Sequence, residues 1–373
     1  MKFGVMMIRI LHVFQMMGNG GVENLVLNLY RKIDRNSIQF DFLTSVDSDG
    51  YFDDEIRALG GRVFHAYPLK KNPIKNFKDI KRIVKENNYS IVHRHTGSAF
   101  GYYELRAARK GGAKTLVLHS HNPVAENMLI HRIFKACFSI DCVAMACSKE
   151  SGEFLFGTDK NVIIFKNPID CEKYKYNQEV RNDVREKLGL CNEFVIGHIG
   201  RFGEQKNHKR LVDIFFQVKQ LNPNSKLICI GDGYLRKPTE EKVVSLGLEN
   251  DVIFTGNIDN VEEVIQAFDV FCFPSLYEGF GITQIEAQVN GLKCYTSKDK
   301  VPEDSNITGN VTFISLSSSD KEWAKTILNS NNSRDLQAVD KVRQEGYDLN
   351  DRVAELTKMY TQWYKKGACK LSE

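Results

Sequence analysis

Chemistry is concentrated in the stretch FPSLYEGFGITQIEAQVNG, Phe273 to Gly291. Pro274 closes an apolar run and Glu278 follows in a glycine-flanked loop. A helix is predicted from Ile282, with Ile285 and Val289 apolar and Gly291 past its end. Glu286 falls one turn beyond Ile282 and so stays near the start of that helix. Backbone N–H groups at Phe280, Gly281 and Ile282 can hold a phosphate there, because the first turn of a helix has unused donors and the positive end of its dipole. Two carboxylates on either side would then bind hydroxyls. That combination suits a nucleotide sugar, with the sugar on one flank and the ribose on the other. Read as plain structure, the glutamates would be a capping acid and a surface residue.

Further along the same lines, FVIGHIG is followed by RFGEQKN, which puts Arg201 and Lys206 in a loop before a helix carrying Leu211, Val212, Ile214 and Phe215. Two cations at the carboxyl end of a strand can neutralise a diphosphate and the charge developing on it. Without a ligand they would be a solvated loop. GNGGVE, Gly18 to Glu23, opens a helix with Val22, Leu25, Val26 and Leu29 apolar, and Gly20 and Gly21 would let the backbone approach an anion. It is not a dinucleotide fingerprint, since Glu23 stands where glycine is needed and the next strand ends in Thr44 and Ser45 rather than an acid. TLVLHSHN places His119 and His121 on one strand face, and His93 and His95 end the preceding strand in the same way. Four imidazoles thus gather at one edge. No acid or third histidine lies close in sequence to complete a ligand set, so no metal is expected and His121 becomes a candidate ligand contact.

The scaffold for these residues follows from length and pattern. At 373 residues the chain is long enough for two domains, each with its own core. Hydrophobic residues at 42% and charged residues at 26% exclude a disordered, collagenous or coiled-coil chain. With 51 basic against 47 acidic side chains, the net charge of +4 gives no global pull toward nucleic acid, and none is expected as a partner. Nine cysteines without a C-x-x-C pair read as reduced, buried thiols of a cytosolic protein. Arg9 and His12 break the first apolar stretch, which reads as a strand rather than a signal peptide, and the first seven residues look like an extension with no assigned function. No run approaches the roughly 18 apolar residues needed to span a bilayer.

Short apolar runs alternate with helical patterns: IRILHVF, FDFLTS, RVFHAY, SIVHRH, TLVLHSH, CVAMACS and VIIFKN in the first half, then FVIGHIG, KLICIG, VIFTG, VFCFP, KCYTS and TFISL. Such alternation implies two parallel sheets with helices on both faces. The polar stretch Asn167 to Cys191 reads as a hinge and the first helix of the next domain. Expected boundaries are 1–169 and 170–348, with a terminal helix in 349–373 crossing back to the first domain. Val353, Leu356, Met359, Tyr360 and Trp363 would be its packed face. Ligands of such sheets bind outside the carboxyl ends of the strands, so a cleft between the domains is the expected site.

On these residues the chain resembles the retaining glycosyltransferases of GT-B fold, family 4, and within them the bacterial capsule and exopolysaccharide transferases. The likeness is carried in order by the GGVE turn, HSHN, ACSKESGEFLFG, KNPID, GRF with its downstream KN, GDG, the two glutamates eight residues apart, and Trp323-Ala324. The resemblance implies two Rossmann-like domains, Glu278 on donor-sugar hydroxyls and Glu286 on the ribose. It further implies Arg201 and Lys206 on the diphosphate, backbone help at Gly20, Gly21, Phe280, Gly281 and Ile282, and His121 near the sugar and acceptor. No cofactor or metal is implied. Lys293 stands where the family often has proline, so the loop from Ser297 to Asp304 is expected to differ, at the donor domain's edge rather than at its phosphate site.

The implied reaction moves a sugar, with retention, from a nucleotide sugar, uridine being the commoner base, to a glycan or lipid-linked acceptor in surface polysaccharide biosynthesis. The implied location is the cytoplasm or the inner face of the cell membrane. Two rivals are a nucleotide-sugar epimerase of the same fold and a scaffold that binds donor without turnover. A further candidate partner is an anionic membrane surface. Between Lys70 and Lys85, the residues Lys71, Lys75, Lys78, Arg82 and Lys85 recur at intervals of four and three on the helix expected after Pro73, with Ile74, Phe77, Ile80 and Val84 on an apolar face.

Overall fold

The computed structural model describes residues 7–369 other than 19, 123, 124, 126 and 159. Six residues of the amino-terminal extension and the last four residues of the terminal segment therefore lie outside the described residues. The chain divides into two compact units, one reaching Pro168 and completed by the chain from Leu349, the other Ile169–Asp348.

In the first unit seven strands, β1 (Ile8–Val13), β2 (Ile38–Thr44), β3 (Val63–His65), β4 (Ile91–Thr96), β5 (Thr115–Ser120), β6 (Val143–Ala146) and β7 (Ile163–Ile164), lie in the order β3-β2-β1-β4-β5-β6-β7. All neighbours are parallel. The strands alternate apolar side chains between two cores, as strands covered on both faces must. Ile10, Phe40, Phe42, Ile91 and Val117 face one, beneath the helices Gly21–Lys32 and Leu349–Cys369, while Leu11, Leu43, Val92, Leu116 and Leu118 face the other. On the terminal helix Leu356 and Tyr360 are buried, with Val353, Met359 and Trp363 packed against the same core.

The helix Pro73–Glu86 starts as its sequence dictates, with Asn72 accepting from the Lys75 N–H and Pro73 in the first turn. Its packed face is Ile80, Ile83 and Val84, with Phe77 partly covered. Ile74, expected on that face, is 68% exposed. It sits in the first turn, where the inward position is taken by Asn76, whose amide donates to Ser45 Oγ and to the Tyr67 carbonyl.

The second unit has six parallel strands, β8 (Phe194–Ile199), β9 (Ser225–Ile230), β10 (Val252–Gly256), β11 (Val270–Phe273), β12 (Lys293–Ser297) and β13 (Val311–Ile314), in the order β10-β9-β8-β11-β12-β13. Each sheet grows outward from its first strand in one direction, then resumes on that strand's other side. The reversal falls between β1 and β4 in one sheet and β8 and β11 in the other, opening a crevice at the carboxyl ends.

The thiols are less uniformly buried than expected. Cys171, Cys229, Cys272 and Cys294 are buried, but Cys137 and Cys191 are exposed, because one is on the outer face of a helix and the other in the turn before β8.

Candidate functional site

At the reversal point of the second sheet, the loops after β8 and β11 are knitted together. The Leu276 N–H donates to the Gln205 carbonyl at 2.8 Å, Gln205 Nε2 to the Tyr277 carbonyl at 3.0 Å, and Asn207 Nδ2 to the Pro274 carbonyl at 3.0 Å. Asn207 holds a left-handed φ of 54° and turns the chain into the helix His208–Leu221. The result is that Lys206 Nζ stands 2.7 Å from Glu278 Oε1 and 4.4 Å from the centre of the Phe273 ring. Their side chains are only 16% and 6% exposed, so each charge is held by the other in a place with little water. Arg201 stands exposed on the same loop.

The turn that carries Arg201 is shaped by Gly231 and Gly233. Gly231 has φ +130°, and any side chain there would collide with the Gly200 carbonyl, while one at Gly233 would meet the Phe202 carbonyl. Close backbone approach is what this GDG element supplies.

Gly281, with φ +72°, is the N-cap of the helix Ile282–Val289, and its carbonyl accepts from Gln284 and Ile285. That leaves the N–H groups of Ile282 and Thr283, at the positive end of the dipole, without an intrahelical acceptor. Glu286 is neither a capping acid nor a surface residue. It is half-buried beside the Tyr174 hydroxyl, and desolvation pushes its carboxyl up to about 7, against the pull of that hydroxyl and of Lys173. The loop after β12 is not confined to the unit's edge as expected, since the Lys300 carbonyl accepts the Glu278 N–H at 2.9 Å.

In the first unit the four expected imidazoles are joined by a fifth, His12. Parallel register places His12 beside His93 and His95 beside His119, all on the face that carries Ile10 and Ile91 lower down. His12 Nδ1 lies 3.0 Å from His95 Nε2, and His95 Nδ1 lies 3.0 Å from His121 Nε2. His93 reaches the Tyr360 hydroxyl at 2.6 Å and His119 Nδ1 at 3.3 Å. Burial holds all five neutral, with His12 and His121 pushed down to about 3 and the other three well below the ordinary histidine range. Two triads, His12-His93-His95 and His95-His119-His121, have ring nitrogens within 4.8 Å of one another. On the opposite face Arg94 is buried against Glu104 and donates to the Val13 and His95 carbonyls, tying the ends of β1 and β4.

Gly21 begins the helix Gly21–Lys32 and Gly20 caps it without a side chain. A side chain at Gly20 would run into the Glu23 carboxylate, whose pKa burial raises.

Of the residues singled out in the sequence, Lys206, Glu278, Phe280, Gly281, Ile282, Glu286 and Arg201 belong to one unit, and His121, Gly20 and Gly21 to the other. His12, Tyr174 and the Lys300 carbonyl were missed. His12 carried a readable signal, being a polar residue near the end of an apolar strand run. Tyr174 lay in a stretch read as a hinge, and a backbone carbonyl has no sequence signature.

Chains made of two doubly wound units of this kind form the GT-B class. A crystal structure of Anabaena Alr3699/HepE in complex with UDP matches with a TM-score of 0.71 over 98% of this chain and 100% of that one, at 19% identity. Residues 19–173 match the model for Glycosyltransferase Family 4, and residues 180–345 that for Glycosyl transferases group 1. A Bacillus subtilis (strain 168) protein named as the glycosyltransferase EpsF is 34% identical over 94% of this chain and 96% of its own length. An Escherichia coli UDP-Gal:alpha-D-GlcNAc-diphosphoundecaprenol alpha-1,3-galactosyltransferase is 28% identical over 81% and 80%. The chain belongs to the glycosyltransferases of family 4.

Proposed function

We propose that this glycosyltransferase moves a sugar from a UDP-linked donor to a glycan or lipid-linked acceptor of surface polysaccharide biosynthesis, with retention and without a bound metal. The observation that carries the reading is the Lys206–Glu278 pair beside the open first turn of the helix Ile282–Val289. The pair exchanges partners when donor arrives. Lys206 turns to the leaving diphosphate, joined by Arg201 and the N–H groups at Phe280, Gly281 and Ile282, and Glu278 accepts from sugar hydroxyls. Glu286 accepts from the ribose, and the helix dipole and two cations supply the positive charge that a metal ion otherwise provides. His121 is assigned to the sugar and acceptor, and Gly20 and Gly21 to backbone contacts with the diphosphate. With no carboxylate assigned as nucleophile, departure and attack occur on one face of the sugar. The relatives support the uridine carrier and the lipid-linked acceptor only through what their names state.

A thermal-shift panel of UDP, GDP, UDP-glucose, UDP-galactose and UDP-N-acetylglucosamine tests the donor. A ligand at 100 times its Kd stabilises the fold by about 2.7 kcal/mol. Stabilisation by GDP but not UDP overturns the uridine assignment, and no stabilisation by any compound overturns the donor site. Turnover undiminished by EDTA is expected, as is an anomeric configuration in the product equal to that of the donor. Conversion of donor without acceptor would favour the epimerase.

The second reading concerns the helix Pro73–Glu86, whose Lys75, Lys78, Lys81, Arg82 and Lys85 are all exposed, as is Lys71, which was expected on the helix but lies in the turn before its N-cap Asn72. Part of this charge is engaged: Lys71 pairs with Asp47, Lys75 lies over the Tyr67 ring, and Arg82 meets Asp79 and Glu86. Lys78 and Lys85 keep the face basic, which suits an anionic membrane carrying the acceptor. Among the described residues no helix is long and apolar enough to cross a membrane.

A further inference from the structure

Three imidazoles of the first unit, His12, His95 and His121, form a hydrogen-bonded chain whose direction follows from the surroundings of its two ends. A neutral imidazole has one N–H and one bare nitrogen, so in the series His12, His95, His121 only two proton arrangements satisfy both 3.0 Å contacts. In one, His12 Nδ1–H donates to His95 Nε2 and His95 Nδ1–H donates to His121 Nε2, leaving His121 with its proton on Nδ1. In the other every bond is reversed, and an N–H is left at His12 Nε2. Both end atoms, His12 Nε2 and His121 Nδ1, are buried and have no hydrogen-bond partner among the described residues.

The two ends differ in surroundings. His12 is 1% exposed and packed among Phe40, Phe42, Tyr360 and the neighbouring imidazoles, away from the ligand end of the sheet, and no group among the described residues lies in hydrogen-bonding position to its Nε2. His121 is 8% exposed and follows the last residue of β5, at the ligand end of the sheet. A buried N–H without an acceptor is the rarer and costlier defect, so the bare nitrogen belongs at His12 and the N–H at the end a ligand can satisfy. Burial and the nearby Arg94 guanidinium keep His121 neutral, so its tautomer decides what it offers.

We propose that His95, backed by His12, is a positioning residue that holds His121 as its Nδ1–H tautomer, making it a fixed hydrogen-bond donor to an oxygen of the sugar or acceptor. This rests on the assignment of His121 as a ligand contact. The Nδ1–H form is the minor one for histidine in water, so the relay selects against the intrinsic preference.

Long-range proton–nitrogen spectra of the full chain with 15N-labelled histidine read the tautomer directly, with His121 identified by its loss in His121→Gln. The wild type is expected to show His121 protonated on Nδ1. His95→Asn, which keeps a donor near the Nδ1 position, should preserve that pattern, and His95→Phe, which removes it, should shift the proton to Nε2. Turnover with the donor found by thermal shift should fall about tenfold in His95→Phe, with KM for donor and binding of UDP little changed, and recover in His95→Asn. A wild-type His121 protonated on Nε2, or a pattern unchanged in His95→Phe, overturns the proposal even if both variants lose activity. Wild-type turnover in His121→Gln with the expected spectra overturns the ligand contact instead, and leaves the relay without a catalytic purpose. UDP binding by each variant confirms that the second unit is intact.

Discussion

At the carboxyl end of the first sheet five imidazoles are packed together and all are held neutral, whereas at the same end of the second sheet Lys206 and Glu278 are held as a sheltered ion pair 2.7 Å apart. Both places are reversal points of a doubly wound sheet, so topology alone makes each a binding crevice. What differs is the currency of recognition. Neutral rings offer directional hydrogen bonds without net charge, which matches hydroxyl-rich saccharide. A cation, a carboxylate and a helix N-terminus match a diphosphate with sugar hydroxyls beside it. The difference teaches that one topology can set two crevices of opposite chemistry, and under the proposed function each rim's side chains decide which part of the reaction it handles.

The largest test of that contrast is removal of charge from the second rim. Lys206→Ala should cost roughly 2 to 4 kcal/mol of transition-state stabilisation, because in the proposed reaction the lysine faces charge developing on the leaving diphosphate. Arg201→Ala is expected at the lower end of that range, since Arg201 is exposed and better screened. Lys206→Ala also strands Glu278, so the fold should lose about 1 to 3 kcal/mol in urea denaturation. Adding Glu278→Gln should restore much of the stability and none of the activity. Wild-type kcat/KM in both single variants would remove the cations from the reaction and dissolve the comparison.

Glu286 sharpens it further, because this carboxyl is charged only over part of the working range. Below its usual value of 4.5 it is protonated whether the chain is folded or not, so burial costs nothing. As pH rises toward about 7 the unfolded chain ionises first, and stability falls across that window. Above it the loss is complete, and the carboxylate form, the one proposed to accept from ribose hydroxyls, is present. UDP should accordingly bind about tenfold more tightly at pH 8 than at pH 6, once the same change in Glu286→Gln, which reports the ionisation of UDP itself, is subtracted. Glu278→Gln should lower turnover while leaving UDP affinity within a few-fold of wild type. Calorimetry with UDP separates the two glutamates, and equal losses of UDP affinity would mean that their division between sugar and ribose is wrong.

The charged rim was far more legible in the sequence than the neutral one. Glu278, Glu286, Arg201 and Lys206 stand in loops and at a helix start, where residue type and spacing speak for themselves. What the pattern could not express was that Lys206 and Glu278 hold each other, because that contact is made by two chain turns 72 residues apart in sequence. The imidazole relay depends on the register of three strands, and register between β1, β4 and β5 is settled by packing across the sheet rather than within any one run. His12 appeared only as an interruption of an apolar stretch. The same limit explains Ile74, where helical spacing alone could not know that Asn76 would occupy the inward position and bond Ser45 and Tyr67.

The smallest expected effect concerns the exposed basic stripe along the helix Pro73–Glu86 of the first unit. If that face meets an anionic membrane, each basic side chain contributes about 1 kcal/mol near the surface. Lys78 is the informative position, since Lys71, Lys75 and Arg82 are already engaged with Asp47, the Tyr67 ring, and Asp79 with Glu86. Lys78→Gln should therefore weaken binding to phosphatidylserine-containing vesicles about fivefold in a sedimentation assay at low salt, and the difference should shrink as salt is raised. The triple change of Lys71, Lys75 and Lys78 to Glu should abolish it, with UDP binding by the second unit untouched. Ile74, exposed at 68% beside this stripe, can add apolar contact, so Ile74→Ser should weaken vesicle binding while leaving folding stability within about 0.5 kcal/mol of wild type. Equal sedimentation with neutral and anionic vesicles, or no loss in the triple variant, would leave the helix as solvated surface and confine functional charge to the second unit.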